Sequence, residues 1–388
     1  MRINALYVII KLVERCNLNC SYCYYYTPEN AEVLERQSLM SEEHLDGLID
    51  YVEAALDQVT MRRVVFGFHG GEPTLAKTPR VREFCSKARE RLGPKAEVAF
   101  ALQTNGVHIS DDWMKLIVDE RIGVGISIDG DKQAHDQYRV DHRGRGSYDR
   151  VCSTLEKLLP LDATGHIRVT ALAVMGDDFA GLDFYRHLVD TLGIRHLKLL
   201  FLDRTSDMVP TDQELQNLGR TLCEIFDHWL LHDRGRVEVE FFDTVVRRIL
   251  AVNHQRDLMR DQVTIGFALL SDGRVRIQDD FMIASEWFWA QRDLHVSKSR
   301  FADYLDQPHL QQLVHELIEA PEECRGCPYI DSCAGGEVAH RFTRERGFDS
   351  KSVYCQALKM FHAHVDQRLC SGAQLAIASG RVPEPAFG

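Results

Sequence analysis

Six short runs of β-branched and apolar residues, at positions 5–12, 62–68, 98–103, 122–128, 168–174 and 196–201, are each followed by a longer stretch with apolar positions at helical spacing. That alternation marks parallel βα units, because their strands are buried on both faces and lose the period-two polar pattern. Ser41, Ser110 and Thr211 stand where helices should begin, each with acidic residues directly after it. Their side-chain oxygens can accept from free backbone N–H groups, and the negative charge suits the positive end of the helix dipole. Six units are too few for a closed eight-stranded barrel, so the pattern predicts an α/β fold built as an open, partial (β/α)6 barrel with a mouth wide enough for something larger than a metabolite. After about residue 235 the pattern changes to a strand over 237–242, a helix near 245–253 and a hairpin turning at Asp272-Gly273. A cysteine-rich region begins near Pro321. The expected division is therefore a barrel over 1–235, a bridging segment with a hairpin over 236–318, and a C-terminal domain with a final helix over 319–388. No internal repeat, low-complexity tract or Pro-rich linker interrupts it, and the last dozen residues, with Pro383 and Pro385, read as disordered.

Composition narrows the function. A chain of 388 residues, 45% of them hydrophobic, can bury a barrel core and still build a second domain. A formal net charge of -12 argues against a phosphate-backbone partner, so no nucleic acid is expected. The apolar run over 5–10 is cut by Lys11, too soon for a signal-peptide core or a membrane span, which predicts a cytoplasmic protein with no membrane partner. The eleven cysteines are odd in number and include two tight groups, which in a long chain points to metal rather than disulfides.

The first group, Cys16, Cys20 and Cys23, follows the first strand directly, at the end of the barrel where such folds place their chemistry. Three thiolates hold three corners of a four-iron cluster and leave one iron open, whereas a closed electron-transfer cluster takes four cysteines. A three-cysteine zinc site is the competing reading. The run Cys-Asn-Leu-Asn-Cys-Ser-Tyr-Cys resembles the cluster motif of radical S-adenosylmethionine (radical SAM) enzymes. The resemblance implies a [4Fe–4S] cluster whose open iron binds S-adenosylmethionine, and cleavage of that cofactor to a 5′-deoxyadenosyl radical.

The other strand ends extend the resemblance. Gly70, Gly71, Glu72 and Pro73 match the family's Gly-Gly-Glu-Pro motif, which implies binding of the methionine amino group with Glu72 as acceptor. Gln103, Thr104 and Asn105 close the third strand, and Ser127 and Asp129 the fourth; by resemblance the latter two lie near the ribose or the substrate. Arg139 resembles the arginine that meets the cofactor carboxylate, a bidentate match of fork to carboxylate. Tyr22 matches the aromatic that lines the adenine, while Tyr24, Tyr25 and Tyr26 are expected simply to pack.

The second group, Cys324, Cys327, Cys333 and Cys355, could close a site, and with Ala334-Gly335-Gly336 and His340-Arg341 it resembles the SPASM extension of peptide-modifying members. The resemblance implies one auxiliary [4Fe–4S] cluster; structural zinc is the alternative by ligand spacing. Glu337 and Gln278 stand where other members carry cysteines for an inner cluster, so that cluster is expected to be absent. Cys85, Cys152, Cys223 and Cys370 read as core thiols. Relatives with the inner cluster use an aspartate after the hairpin cysteine as a base; here that place falls on Asp279, beside Asp280, and an apolar mouth should raise its pKa.

Over about residues 5–360 the chain most resembles XYE-type maturases that close three-residue cyclophanes in ribosomally made precursor peptides. The partners implied are such a precursor and a flavodoxin or ferredoxin reductant. With no leader-binding domain ahead of Ala5, the precursor would be recognised by the barrel rim, the bridging segment or a separate protein. Formylglycine-forming sulfatase maturases and thioether-forming maturases are the enzymatic alternatives, and an iron–sulfur or zinc regulatory protein is the non-enzymatic one.

Overall fold

The computed structural model describes residues 3–176, 181–253 and 263–378. The chain forms two compact units, Met1–Asp203 with Met259–Ile318, and Arg204–Leu258 with Glu319–Gly388.

In the first unit six parallel strands run side by side in sequence order: β1 (Ile3–Val13), β2 (Arg63–Gly70), β3 (Glu97–Thr104), β4 (Gly123–Ser127), β5 (Val169–Met175) and β6 (His196–Phe201). This is the α/β partial-barrel pattern expected from the sequence. The strand Val263–Leu269 adds to the free side of β1, also in parallel, and turns back through Asp272-Gly273 into Arg274–Arg276. Gly273 has φ of +85°, and a Cβ there would press on the His295 ring, so the turn requires glycine. The apolar pattern missed Val263–Leu269 as a seventh parallel strand.

Burial explains why β1 reads as a continuous apolar run. Leu6, Val8, Ile10 and Leu12 are fully buried, and so is the cation that interrupts the run, Lys11. Phe66 and Phe68 of β2 pack around Phe84 and Phe100, with Phe68 stacked on Phe100 at 6.1 Å. The Ser41 side chain accepts from the His44 N–H at 3.1 Å and caps the helix Glu42–Gln58; Ser110 caps Asp111–Asp119 in the same way.

In the second unit Thr211 and Glu214 form a reciprocal capping box at the head of Asp212–His228. Phe226, Trp229, Phe242 and Phe361 make its aromatic core. The strand expected over 237–242 shrinks to Glu238–Val239, and the helix begins at Glu240. Phe242, Val245, Val246 and Ile249 are all buried, and their spacing of three and four places them on one helical face. Of the cysteines assigned to the core, Cys85 is buried, Cys152 and Cys223 are half-buried, and Cys370 is exposed near the end of the last described helix. Among the described residues no helix is long and apolar enough to cross a membrane. Pro383 and Pro385 lie outside the described residues.

Candidate active site

β1 delivers the cysteine loop. Within the loop the Cys23 N–H donates to the Cys20 carbonyl at 3.2 Å; the Asn19 N–H donates to the Val140 carbonyl at 2.7 Å and the Ser21 N–H to the Tyr138 carbonyl at 3.1 Å. Cys16, Cys20 and Cys23 are unpaired and half-buried. The Cys16 sulfur accepts from the Leu18 N–H at 3.4 Å and from Asn105 Nδ2 at 3.6 Å, contacts that suit a metal-bound thiolate. Burial pushes the Cys16 thiol up to about 12 and the Cys20 thiol up to about 11. Bare thiols would keep their protons at neutral pH, whereas coordination removes them. Thiolates around one zinc ion would stand about 3.8 Å apart. Among the described residues no three Cys, His, Asp or Glu side chains converge at single-ion spacing, and a four-iron cluster has a wider frame.

The end of β2 is zipped to this loop. The Gly71 N–H donates to the Val13 carbonyl at 2.7 Å and the Glu72 N–H to the Arg15 carbonyl at 2.9 Å. Gly70 has φ of +132°, and a Cβ on it would lie 2.2 Å from the Val13 carbonyl; a Cβ on Gly71 would lie 2.0 Å from the Tyr26 hydroxyl. Only glycine fits at either position. Pro73 then opens a single short turn, Pro73–Leu75.

Glu72 is fully buried and already committed within the chain. It accepts from the Thr74 N–H at 3.1 Å, the Thr74 hydroxyl at 2.6 Å, the Thr104 hydroxyl at 2.7 Å and the Asn105 N–H at 2.7 Å. Burial raises its pKa, although these donors oppose the shift. The carboxylate thus braces the ends of β2 and β3 and holds Asn105 against Cys16. Glu72→Ala should lower stability by about 3 kcal/mol, since several buried donors lose their acceptor; urea unfolding of the two proteins checks this.

At the end of β4, Asp129 gathers Tyr22 and Arg139. The Tyr22 hydroxyl donates to Asp129, Arg139 donates through Nε at 2.6 Å and Nη2 at 3.4 Å, and the Val174 N–H donates at 2.9 Å. The guanidinium lies 5.3 Å from the Tyr22 ring centre. The fork expected to meet a cofactor carboxylate therefore spends one edge on Asp129. Gln103 Nε2 donates to Ser127 Oγ at 3.2 Å.

The most consequential cluster is one the sequence reading did not assemble. Lys11 and His69 are register partners on β1 and β2, so their side chains share a face. The Lys11 ammonium donates to Asp279 Oδ2, stands 3.3 Å from His69 Nδ1 and lies 4.1 Å from the Tyr25 ring centre. The Tyr24 hydroxyl donates to the same Oδ2 at 2.6 Å, while Asp279 Oδ1 is buried with no hydrogen-bond partner. Burial alone would raise the pKa of Asp279, but Lys11 and then His69 pull it below the usual carboxylate range. The expectation of a raised pKa is overturned, because the mouth holds a buried cation where an apolar lining was expected. Burial, then Lys11, depresses His69 to about 4, and its Nδ1 accepts from the Gly70 N–H at 2.9 Å. These bonds assign a neutral ring with its proton on Nε2. Asp280 is exposed. Two of the three tyrosines do more than pack: Tyr24 holds Asp279, and the Tyr25 hydroxyl donates to the buried Glu14.

Residues 10–179 match the family model of the radical SAM superfamily. Those residues form a radical SAM domain. It is 24% identical over 353 residues to a cysteine-type anaerobic sulfatase-maturating enzyme of Clostridium novyi (strain NT), covering 89% of this chain and 91% of the relative. A serine-type enzyme of Bacteroides thetaiotaomicron is 26% identical over 387 residues, covering 93% and 89%. An uncharacterized protein of Archaeoglobus fulgidus is 32% identical over 361 residues, covering 90% and 78%. The solved structure of native anSMEcpe with bound AdoMet and Kp18Cys peptide shares the fold at a TM-score of 0.77 and 22% identity, covering 95% of this chain and 99% of that one. The radical SAM domain makes the protein an enzyme of the class that works with S-adenosylmethionine and a [4Fe–4S] cluster.

In the second unit of this radical SAM enzyme the later cysteines also come together. Cys327 closes a turn on Cys324 at 3.0 Å, Cys333 ends the short helix Ile330–Cys333, and Cys355 opens the helix Cys355–Ala378. Ala334, Gly335 and Gly336 all take positive φ, which folds the chain sharply back after Cys333. Cys324 and Cys333 each feel the Cys355 sulfur, and burial first, then Cys355, pushes Cys333 up to about 11. Cys324, Cys327, Cys333 and Cys355 are thus unpaired electrostatic neighbours that, among the described residues, do not converge at single-ion spacing.

Proposed function

We propose that this radical SAM enzyme matures a ribosomally made peptide by removing a hydrogen atom from the β-carbon of one residue and joining that carbon to a nearby Trp, Tyr or Phe ring. The observation that carries the reading is Asp279, an ionised buried carboxylate with one oxygen held and the other free, one hydrogen bond away from the residue after Cys23. Cys16, Cys20 and Cys23 would hold the cluster, with Tyr22, Gly70, Gly71, Asn105, Ser127 and Arg139 around the cofactor. When bound, these groups supply the 5′-deoxyadenosyl radical. The chain's own residues govern the later steps. After the carbon radical adds to the ring, aromaticity returns by loss of one proton and one electron. Asp279 Oδ1 takes the proton while Lys11 and Tyr24 keep Oδ2 fixed, and an iron–sulfur cluster held by the chain would supply the acceptor for the electron. Cys324, Cys327, Cys333 and Cys355 would hold an auxiliary cluster, and a flavodoxin or ferredoxin would supply the initiating electron. Gln278 and Glu337, where related maturases carry further cysteines, favour the crosslinking group.

A second reading, formylglycine formation on a peptidyl Cys or Ser, is favoured by the near full-length likeness to cysteine- and serine-type sulfatase-maturating enzymes. The two products differ chemically. Co-production with a candidate precursor should give a peptide lighter by two hydrogens, with fragmentation blocked between the joined residues and no reaction with a hydrazide. Conversion of a sulfatase-motif peptide to a hydrazide-reactive aldehyde, with precursor peptides untouched, would establish the second reading instead.

A further inference from the structure

Tyr26 carries a buried hydroxyl with no hydrogen-bond partner, an arrangement that native chains rarely leave uncompensated. Its surroundings name the missing partner's position. The hydroxyl lies against the Cα of Gly71, where a Cβ would approach to 2.0 Å, and the Cys16 and Cys23 sulfurs are among its electrostatic neighbours. The ring is fixed edge-on against Tyr25 at 5.3 Å, and Tyr25 is itself held by Glu14, so the hydroxyl cannot swing away cheaply. An orphaned donor thus lies against Gly71 where the cysteine loop meets the end of β2.

We propose that the Tyr26 hydroxyl is a binding residue for S-adenosylmethionine, hydrogen-bonding the charged amino-acid end of the cofactor. A phenol suits that end, because it can donate to a carboxylate or accept from an ammonium. The proposal rests on Cys16, Cys20 and Cys23 as cluster ligands. The companion residues Tyr24 and Tyr25 already have partners within the chain, which leaves Tyr26 as the member of the triplet whose hydroxyl awaits one.

The test uses Tyr26→Phe in the anaerobically reconstituted full chain, with three ligands measured by equilibrium filtration. S-adenosylmethionine and S-adenosylhomocysteine carry the amino-acid end, and 5′-methylthioadenosine lacks it. Iron content and cluster absorbance should match the unsubstituted protein. Affinity for the first two ligands should fall roughly three- to tenfold, the scale of one hydrogen bond, with 5′-methylthioadenosine unchanged. Equal weakening for all three ligands, or for none, overturns the proposal. Loss of iron in the variant also overturns it, by assigning the hydroxyl to the cluster. Failure of the unsubstituted protein to take up iron would instead sink the cluster reading, a separate outcome.

Discussion

Alanine at Cys16, Cys20 or Cys23 should reduce both peptide modification and 5′-deoxyadenosine release to background while leaving the barrel folded. The loop begins only after β1 has buried Leu6, Val8, Ile10 and Leu12, so the substitutions remove no core volume from the sheet. Their effect is on ligation. Burial holds the Cys16 and Cys20 thiols well above neutral pH, so neither of these would ionise without a metal to bind. Two thiolates do not retain a cubane that needs three protein corners, and both readouts should fail together. Iron analysis, melting and S-adenosylmethionine cleavage check the three parts separately. Full iron content and cleavage in the Cys16→Ala, Cys20→Ala, Cys23→Ala triple variant would end the assignment. Cys85→Ala is the contrast: that thiol is buried in the core, and its loss should cost about 1 kcal/mol of stability with cofactor cleavage intact.

The parallel strands were legible because burial on both faces leaves a continuous apolar run, and all six expected runs fall on strands. Val263–Leu269 was not, since its first residues follow a polar stretch and its partner is β1, remote in sequence. The cysteine loop and the double glycine could be read because close approach and ligation demand those residue types. Lys11 was visible but misjudged: it counted only as a break in an apolar segment. A lysine in the middle of a two-face-buried strand is rare enough to ask for a carboxylate partner. The partner, Asp279, lies 268 positions away and reaches it only through the hairpin. No spacing rule predicts such a pair, and for the same reason the raised pKa expected for Asp279 had the wrong sign.

Lys11→Met is the substitution that tests this network. It keeps the length of the side chain but leaves Asp279 as a buried charge facing only the Tyr24 hydroxyl and a neutral His69. Removing one member of a buried ion pair costs roughly 3–5 kcal/mol. The pH dependence has a definite sign. In the native chain the depressed Asp279 pKa contributes stability above the unfolded value near 4, lost as pH falls through the folded value. Without Lys11, burial dominates and the pKa rises, so the uncompensated charge is most costly at high pH and is relieved by protonation. The melting deficit of Lys11→Met should therefore shrink as pH is lowered from about 8 to about 6. The same variant should still release 5′-deoxyadenosine yet make little product, because the proton acceptor is no longer held ionised and aimed. Adding Asp279→Leu should restore part of the stability, since neither charge remains, but none of the product. That split separates the two roles: a network that only braced the barrel would recover melting and modification together.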